Sequence, residues 1–246
     1  MWEKSNVNFY NKIILKIAIF LIGFGSFLGY VDAATIESKS TGGNWSSPIT
    51  WVGGVVPGIN DKAIVNGNIV FGTHITVGEM TINNNGSVKK ISSNSKYNFN
   101  ILGKTINNGT IGGITDGYSE NVRFNFQNGL ENNGYIFGAK EIYIKGELKN
   151  NGNIDQHIYL LGDTIINGTF YHGKVIVLNG YTLNIPKDSY IYGISGTGNI
   201  YSSTSNNGNN EKIYIDRVGG KINTNFEYLS ISEIINSING RNIIVV

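Results

Sequence analysis

The sequence predicts an all-β chain: a single-stranded right-handed parallel β-helix (β-solenoid) with an N-terminal aromatic cap and a short C-terminal helix. Three observations carry that expectation. One phrase occurs six times between Thr81 and Leu183: a β-prone pair, one to three asparagines, a glycine and another β-prone residue. Its copies begin at Thr81, Thr105, Leu130, Leu148, Ile165 and Val177. Strand-like segments such as Arg123-Phe124-Asn125-Phe126 and Glu141-Ile142-Tyr143-Ile144 alternate apolar and polar residues, the period-2 mark of a strand with one buried face. The glycines that close these six phrases, with that of Asn66-Gly67 before them, fall at 67, 86, 109, 134, 152, 168 and 180, in steps of 19, 23, 25, 18, 16 and 12. Steps of about 20 suit stacked β-coils with loops of varying length, whereas a propeller blade needs about 40 residues.

Residues 1–33 read as a secretory signal peptide. Lys4, Lys12 and Lys16 make a basic start, and Ile17 to Val31 carries no charge. Val31-Asp32-Ala33 then presents small residues where a signal peptidase cuts, so cleavage is expected after Ala33. An uncleaved anchor fits less well. The uncharged run is interrupted by Gly23, Gly25 and Gly29 and falls short of the ~20 residues a spanning helix needs. Removing the leader takes three lysines and two acids from totals of 19 and 17, leaving 16 basic and 15 acidic side chains. So even a balance gives no electrostatic footprint for nucleic acid, and contact with a membrane is expected only during export. With no cysteine, neither a disulfide nor a thiolate metal site can form.

Residues 34–72 form the expected cap region. Trp45 and Trp51 fall there, and a first coil must cover an apolar core that no preceding coil covers. Thr50-Trp51-Val52 and Lys62-Ala63-Ile64-Val65 read as strands, and Asn66-Gly67 reads as a tight hairpin-like turn into Asn68-Ile69-Val70-Phe71. Residues 73–225 form the solenoid body. Asn and Gly at its corners suit the left-handed backbone of sharp bends, and stacked asparagines can hydrogen-bond in ladders along the axis. Ser202 to Asn210 is polar and loop-like. Residues 226–246 hold the one helix signal of the mature chain. Ser230-Ile231-Ser232-Glu233 has capping-box spacing, and Ile231, Ile234, Ile235 and Ile238 share a helical face before Asn239-Gly240. Such a helix, with the apolar strand Ile243 to Val246, would lid the last coil.

The stretch from Asn44 to Val65 resembles the opening of bacterial secreted or surface proteins with a β-helical body, and of the G8 domain of fibrocystin-like and hyaluronan-related extracellular proteins. The shared elements are Trp51, Gly53-Gly54, Val56-Pro57 and Asp61, with Trp45 upstream and β-prone Ile64 and Val65 downstream. The resemblance implies an extracellular binding or scaffold module, and it carries no catalytic residue with it.

Chemistry leaves few marks. A glycosidase needs two carboxylates held about 5–10 Å apart. The acids of the body are Glu79, Asp116, Glu120, Glu131, Glu141, Glu147, Asp155, Asp163 and Asp188, scattered without an Asp-Asp or Asp-x-Asp pair. Asp116 and Glu120 share one loop and are the place to look for an enzyme. His74, His157 and His172 are far apart and match no metal spacing, and whether His157 meets His172 on a neighbouring coil depends on a stacking register that sequence does not give. Neither cofactor nor metal is expected. The surface feature with most promise is tyrosine: Tyr135, Tyr143, Tyr159, Tyr171 and Tyr181 lie in the second half, and rings along one solenoid face would stack on sugars with their hydroxyls in water.

The expectation is therefore a non-catalytic secreted or cell-surface protein, adhesin-like, binding an extracellular glycan or another host or cell-surface ligand. The alternatives are a carbohydrate-active β-helix enzyme, lyase or hydrolase, and the N-terminal part of a larger surface protein.

Overall fold

A computed structural model describes residues 33–91, 94–112, 121–185, 190–201, 214–218 and 221–224; side chains are described up to residue 199, apart from 169–174, 190 and 192. The expected C-terminal helix and the Ser202–Asn210 loop lie outside the described residues. What is described is almost entirely β. β1 (Thr35–Glu37) and β2 (Gly43–Asn44) precede β3 (Lys62–Val65), β4 (Asn68–Phe71) and β5 (Ile75–Val77). Next come β6 (Glu79–Ile82), β7 (Ser87–Lys90) and β8 (Tyr97–Ile101), then β9 (Thr105–Asn107), β10 (Thr110–Gly112) and β11 (Val122–Phe126). β12 (Leu130–Asn132), β13 (Tyr135–Phe137), β14 (Glu141–Asn150), β15 (Asn153–Asp155) and β16 (Ile158–Val177) continue the series. β17 (Thr182–Asn184), β18 (Tyr190–Ser195), β19 (Thr197–Tyr201), β20 (Tyr214–Val218) and β21 (Lys221–Thr224) follow.

These strands pair in parallel, tier upon tier. A first ladder runs β1-β3-β6-β9-β12-β14-β16-β17-β19-β21, and a second runs β2-β4-β7-β10-β13-β15. A third, β5-β8-β11-β14-β16, joins the first ladder in one sheet because β14 and β16 are long enough to serve both. The chain thus visits the ladders in turn, which supplies the long crossover that parallel pairing requires. β3 and β4 pair with other tiers and not with each other, so Asn66-Gly67 is a bend between sheets rather than a hairpin turn.

Strand alternation places the core. β3, β4, β5 and β11 bury every second residue. Because register is kept from tier to tier, like sits on like. Ile69, Val88, Ile111, Ile136 and Ile154 form one buried column of the second ladder. Ile75, Phe99, Phe124, Ile142 and Ile158 form another on the third. Each such side chain contributes at most about 1.5–3 kcal/mol by leaving water. On the first ladder the column Ile36, Ala63, Met80, Thr105, Leu130, Leu148, Ile166 is apolar except at Thr105, whose buried Oγ1 has no hydrogen-bond partner. Trp45 and Trp51 are buried and meet edge to face at 5.0 Å, with Trp45 also 4.9 Å from Phe99. Trp51 Nε1 donates to the Trp45 carbonyl at 2.7 Å, so its one polar atom is satisfied inside the core.

The asparagines form ladders, as the repeats predict, and one ladder points inward. Asn107 Nδ2 donates to Asn132 Oδ1 at 2.7 Å, and Asn132 Nδ2 donates to Asn150 Oδ1 at 2.8 Å, all three residues being buried. One residue on, an outward ladder joins Asn133 to Asn108 at 2.9 Å and Asn151 to Asn133 at 2.8 Å. A third links Asn125 to Asn100 at 2.6 Å. The glycines that follow do a different job from the one their type suggests. Gly109, Gly134 and Gly152 are not among the left-handed residues. They are needed because a Cβ there would strike the carbonyl oxygen of the glycine one tier below: Gly86 under Gly109, Gly109 under Gly134, Gly134 under Gly152. Among the described residues, left-handed backbone is confined to other glycines and to Asn179, with φ 53°.

Candidate functional site

The third ladder positions an aromatic cluster on an outward face. Its register sets Thr76, Asn100, Asn125, Tyr143 and Tyr159 in one outward column. Two residues away along the strands, Asn98, Arg123 and Glu141 form a second column on the same face. A parallel sheet spaces neighbouring strands at about 4.8 Å, so aromatic residues in register fall into stacking distance without further design. The Tyr143 and Tyr159 rings lie 5.2 Å apart, tilted by 31°. On its other side Tyr143 meets the Arg123 guanidinium, 5.8 Å from the ring centre.

Glu141 ties this cluster together. Arg123 Nε donates to Glu141 Oε2, and the Tyr143 hydroxyl donates to the same oxygen at 3.2 Å. Burial, and then the Glu141 charge, push the Tyr143 hydroxyl above its ordinary value, so the phenol stays protonated as a donor at neutral pH. With one face against Arg123 and the other toward Tyr159, Tyr143 offers its rim and hydroxyl rather than a bare face. Beside the rings, the Asn100–Asn125 amide pair and Thr76, joined to Asn100 at 3.2 Å, extend a strip of hydroxyl and amide groups. Phenol and amide groups in one column, with a guanidinium in the next, can hydrogen-bond a polyhydroxylated chain while ring rims contact its C–H groups.

The other tyrosines fall elsewhere. Tyr135 lies on the second ladder, its ring 4.6 Å from Phe137 of the same strand. Tyr181 is exposed in the bend between β16 and β17. Tyr171 belongs to β16, but its side chain lies outside the described residues, as do Asp116 and Glu120. Of the five tyrosines, then, the structure brings together Tyr143 and Tyr159. Arg123, Asn125 and Glu141 read in the sequence only as strand residues, and none of them, nor Asn100, as part of a site. Their alternation with buried residues was legible; the tier alignment that makes them neighbours was not.

A second feature lies on the outward face of the first ladder. Lys104, Asn128, Gly129, Leu130, Glu131, Glu147 and Lys149 line a shallow groove of about 220 Å³. Glu131 lies 3.7 Å from Lys104 and 3.5 Å from Lys149. A hydrogen bond from Asn133, followed by the two lysine charges, holds its carboxyl below the usual range despite some desolvation. Glu147 accepts from Asn167 Nδ2 at 2.9 Å.

The histidines act as backbone acceptors. His74 Nδ1 takes the Asn98 N–H and His157 Nδ1 takes the Val175 N–H, each at 3.1 Å. The His172 side chain lies outside the described residues. Among the described residues no group of three or more His, Cys, Asp or Glu is placed to hold a metal ion.

The motif residues secure the start of the body. Gly53 and Gly54 take φ of 80° and 72°, left-handed conformations in which a side chain is strained. Pro57 is buried. Asp61 accepts the Gly58 N–H at 2.8 Å and the Ala34 N–H at 3.1 Å. No protein-family model matches the chain, and no curated protein or solved structure is significantly similar to it.

Proposed function

We propose that the chain is an exported, non-catalytic surface protein, a closed right-handed parallel β-helix that binds an extracellular glycan along the outward face of its third ladder. The observation that carries this reading is the in-register strip of Tyr143, Tyr159, Asn125 and Asn100 with Arg123 beside it. The order of strands supports closure, since a chain that visits three ladders in turn and returns one tier up is expected to wind as a solenoid. The twist rule for parallel crossovers supports the right-handed sense. The basic start, uncharged run and Val31-Asp32-Ala33 site support export, and the G8-like opening supports an extracellular module.

The test is retention of purified residues 34–246 on a panel of immobilised polysaccharides, with released oligosaccharide assayed in the same wells. Retention without product is expected. Release of product would replace this reading with the enzymatic one.

One observation favours that second reading: Glu131 and Glu147 line the same groove. Against it, Glu131 is held ionised by its neighbours, the reverse of the raised carboxyl a general acid needs. Glu131→Gln and Glu147→Gln decide the matter, since each would abolish cleavage by a two-carboxylate enzyme and neither touches binding at the tyrosine strip.

A further inference from the structure

We infer that Asp61 is the receptor for the new amino terminus that export creates, an ion pair between the Ala34 α-ammonium and the Asp61 carboxylate that closes the first tier once the leader is removed. The inference rests on the export reading. Hydrolysis of the Ala33–Ala34 bond by a signal peptidase adds one water; the new carboxylate leaves on Ala33, and Ala34 keeps a primary amine that protonates at neutral pH. The compact body of the chain begins at Ala33, one residue before that amine.

The receiving geometry is already in place. Ala34 is exposed, with its nitrogen 3.1 Å from Asp61 Oδ1. Its carbonyl accepts the Lys62 N–H at 2.8 Å, which continues the Thr35–Lys62 register of β1 on β3 and fixes where the nitrogen points. Asp61 cannot swing away freely, because Oδ2 accepts the Gly58 N–H at 2.8 Å and its backbone is held between the Gly58 carbonyl and the Glu79 N–H. Before cleavage the contact is a neutral amide donating to a carboxylate. After cleavage the same nitrogen carries a full positive charge and two more donors, so a bond in which only the acceptor was ionised becomes an ion pair. The gain is greatest for a terminus at Ala34; one extra residue moves the charge beyond the carboxylate and restores the neutral amide. Asp61 therefore discriminates one cleavage site from its neighbours.

Two measurements test this. Mass spectrometry of the secreted protein should find Ala34 as the first residue. A secreted chain that begins elsewhere refutes the pair and leaves export standing; a cell-retained chain that keeps residues 1–33 refutes both. Chains released from a cleavable fusion to begin at Ala34 or at Ala33 are then melted, with Asp61 intact and as Asp61→Asn. With Asp61 the Ala34 chain should melt about 1–4 °C higher than the Ala33 chain, the range for a surface ion pair in a domain of this size. With Asp61→Asn that difference should vanish. An equal difference in both backgrounds, or none with Asp61 intact, overturns the inference, and each comparison is made within one background, so any general loss of stability from Asp61→Asn cancels.

Discussion

Replacing Asn132 by alanine is the sharpest perturbation of the body. Asn132 sits in the middle of the buried amide ladder, accepting from Asn107 at 2.7 Å and donating to Asn150 at 2.8 Å and to the Asn153 carbonyl at 3.3 Å. Truncation takes the acceptor from Asn107 Nδ2, whose other contact is the Tyr135 carbonyl at 3.4 Å, and takes the donor from Asn150 Oδ1. A buried polar group deprived of its partner costs about 1–3 kcal/mol, and since Asn107 Nδ2 keeps the Tyr135 carbonyl the expected total is of that size. The low dielectric of the site makes this loss harder to screen than at the surface. Asn133→Ala is the control. That neighbour makes the same pair of amide bonds, to Asn108 and Asn151, but is exposed, and water replaces what it loses; its cost should stay within about 0.5 kcal/mol. Urea denaturation gives the two values, and amide exchange across residues 105–153 shows whether the loss is local to these tiers, since stacked repeats need not unfold as one unit. Equal costs at the two positions, or less than about 1 kcal/mol at Asn132, would refute the claim that the inward ladder holds the tiers together.

Three further outcomes follow from the same geometry. Thr105→Val should stabilise by about 1 kcal/mol in urea denaturation, because it removes a buried hydroxyl without a partner from an apolar column while keeping its shape. Gly134→Ala should lower the thermal midpoint far more than Gly53→Ala, since a Cβ at Gly134 meets the Gly109 backbone whereas at Gly53 it meets nothing within 4 Å and the cost is conformational strain alone, about 1 kcal/mol. The Tyr143 hydroxyl is raised in the folded chain, so its contribution to stability is complete below about pH 10 and is lost as pH rises through the raised value. Ultraviolet titration of the natural chain against Tyr143→Phe should show that the variant has lost a late-ionising tyrosine.

Strand type, tier length and the corner asparagines were legible because each is written in local composition. Even the inward ladder had a local signal: counting by twos from buried Thr105 puts Asn107 inside and Asn108 outside. Register was not legible, because the links between ladders vary too much. Residues 113–121 lie between β10 and β11, whereas the second and third ladders are joined by 138–140 one tier later. With that offset unknown, Arg123 could not be set beside Glu141, nor Asn125 beside Tyr143. Asn66-Gly67 was misread for the related reason that the same two residues suit a hairpin and a bend between sheets; only the parallel partners of β3 and β4, a tier away, tell the two apart. The corner glycines were recognised by type: at Gly180 the left-handed backbone is the reason, whereas at Gly109, Gly134 and Gly152 it is a carbonyl of the tier below, a contact between tiers and not a property of the turn.

The most direct measurement on the functional proposal is titration of a retained glycan against four chains: the natural one, Tyr143→Ala, Tyr159→Ala and, as a control on the second ladder, Tyr135→Ala. Binding through the third-ladder face predicts at least a tenfold weaker Kd for the first two variants, about 1.4 kcal/mol each, with Tyr135→Ala unchanged. Undiminished binding by both Tyr143→Ala and Tyr159→Ala, or an equal loss in Tyr135→Ala, would contradict it.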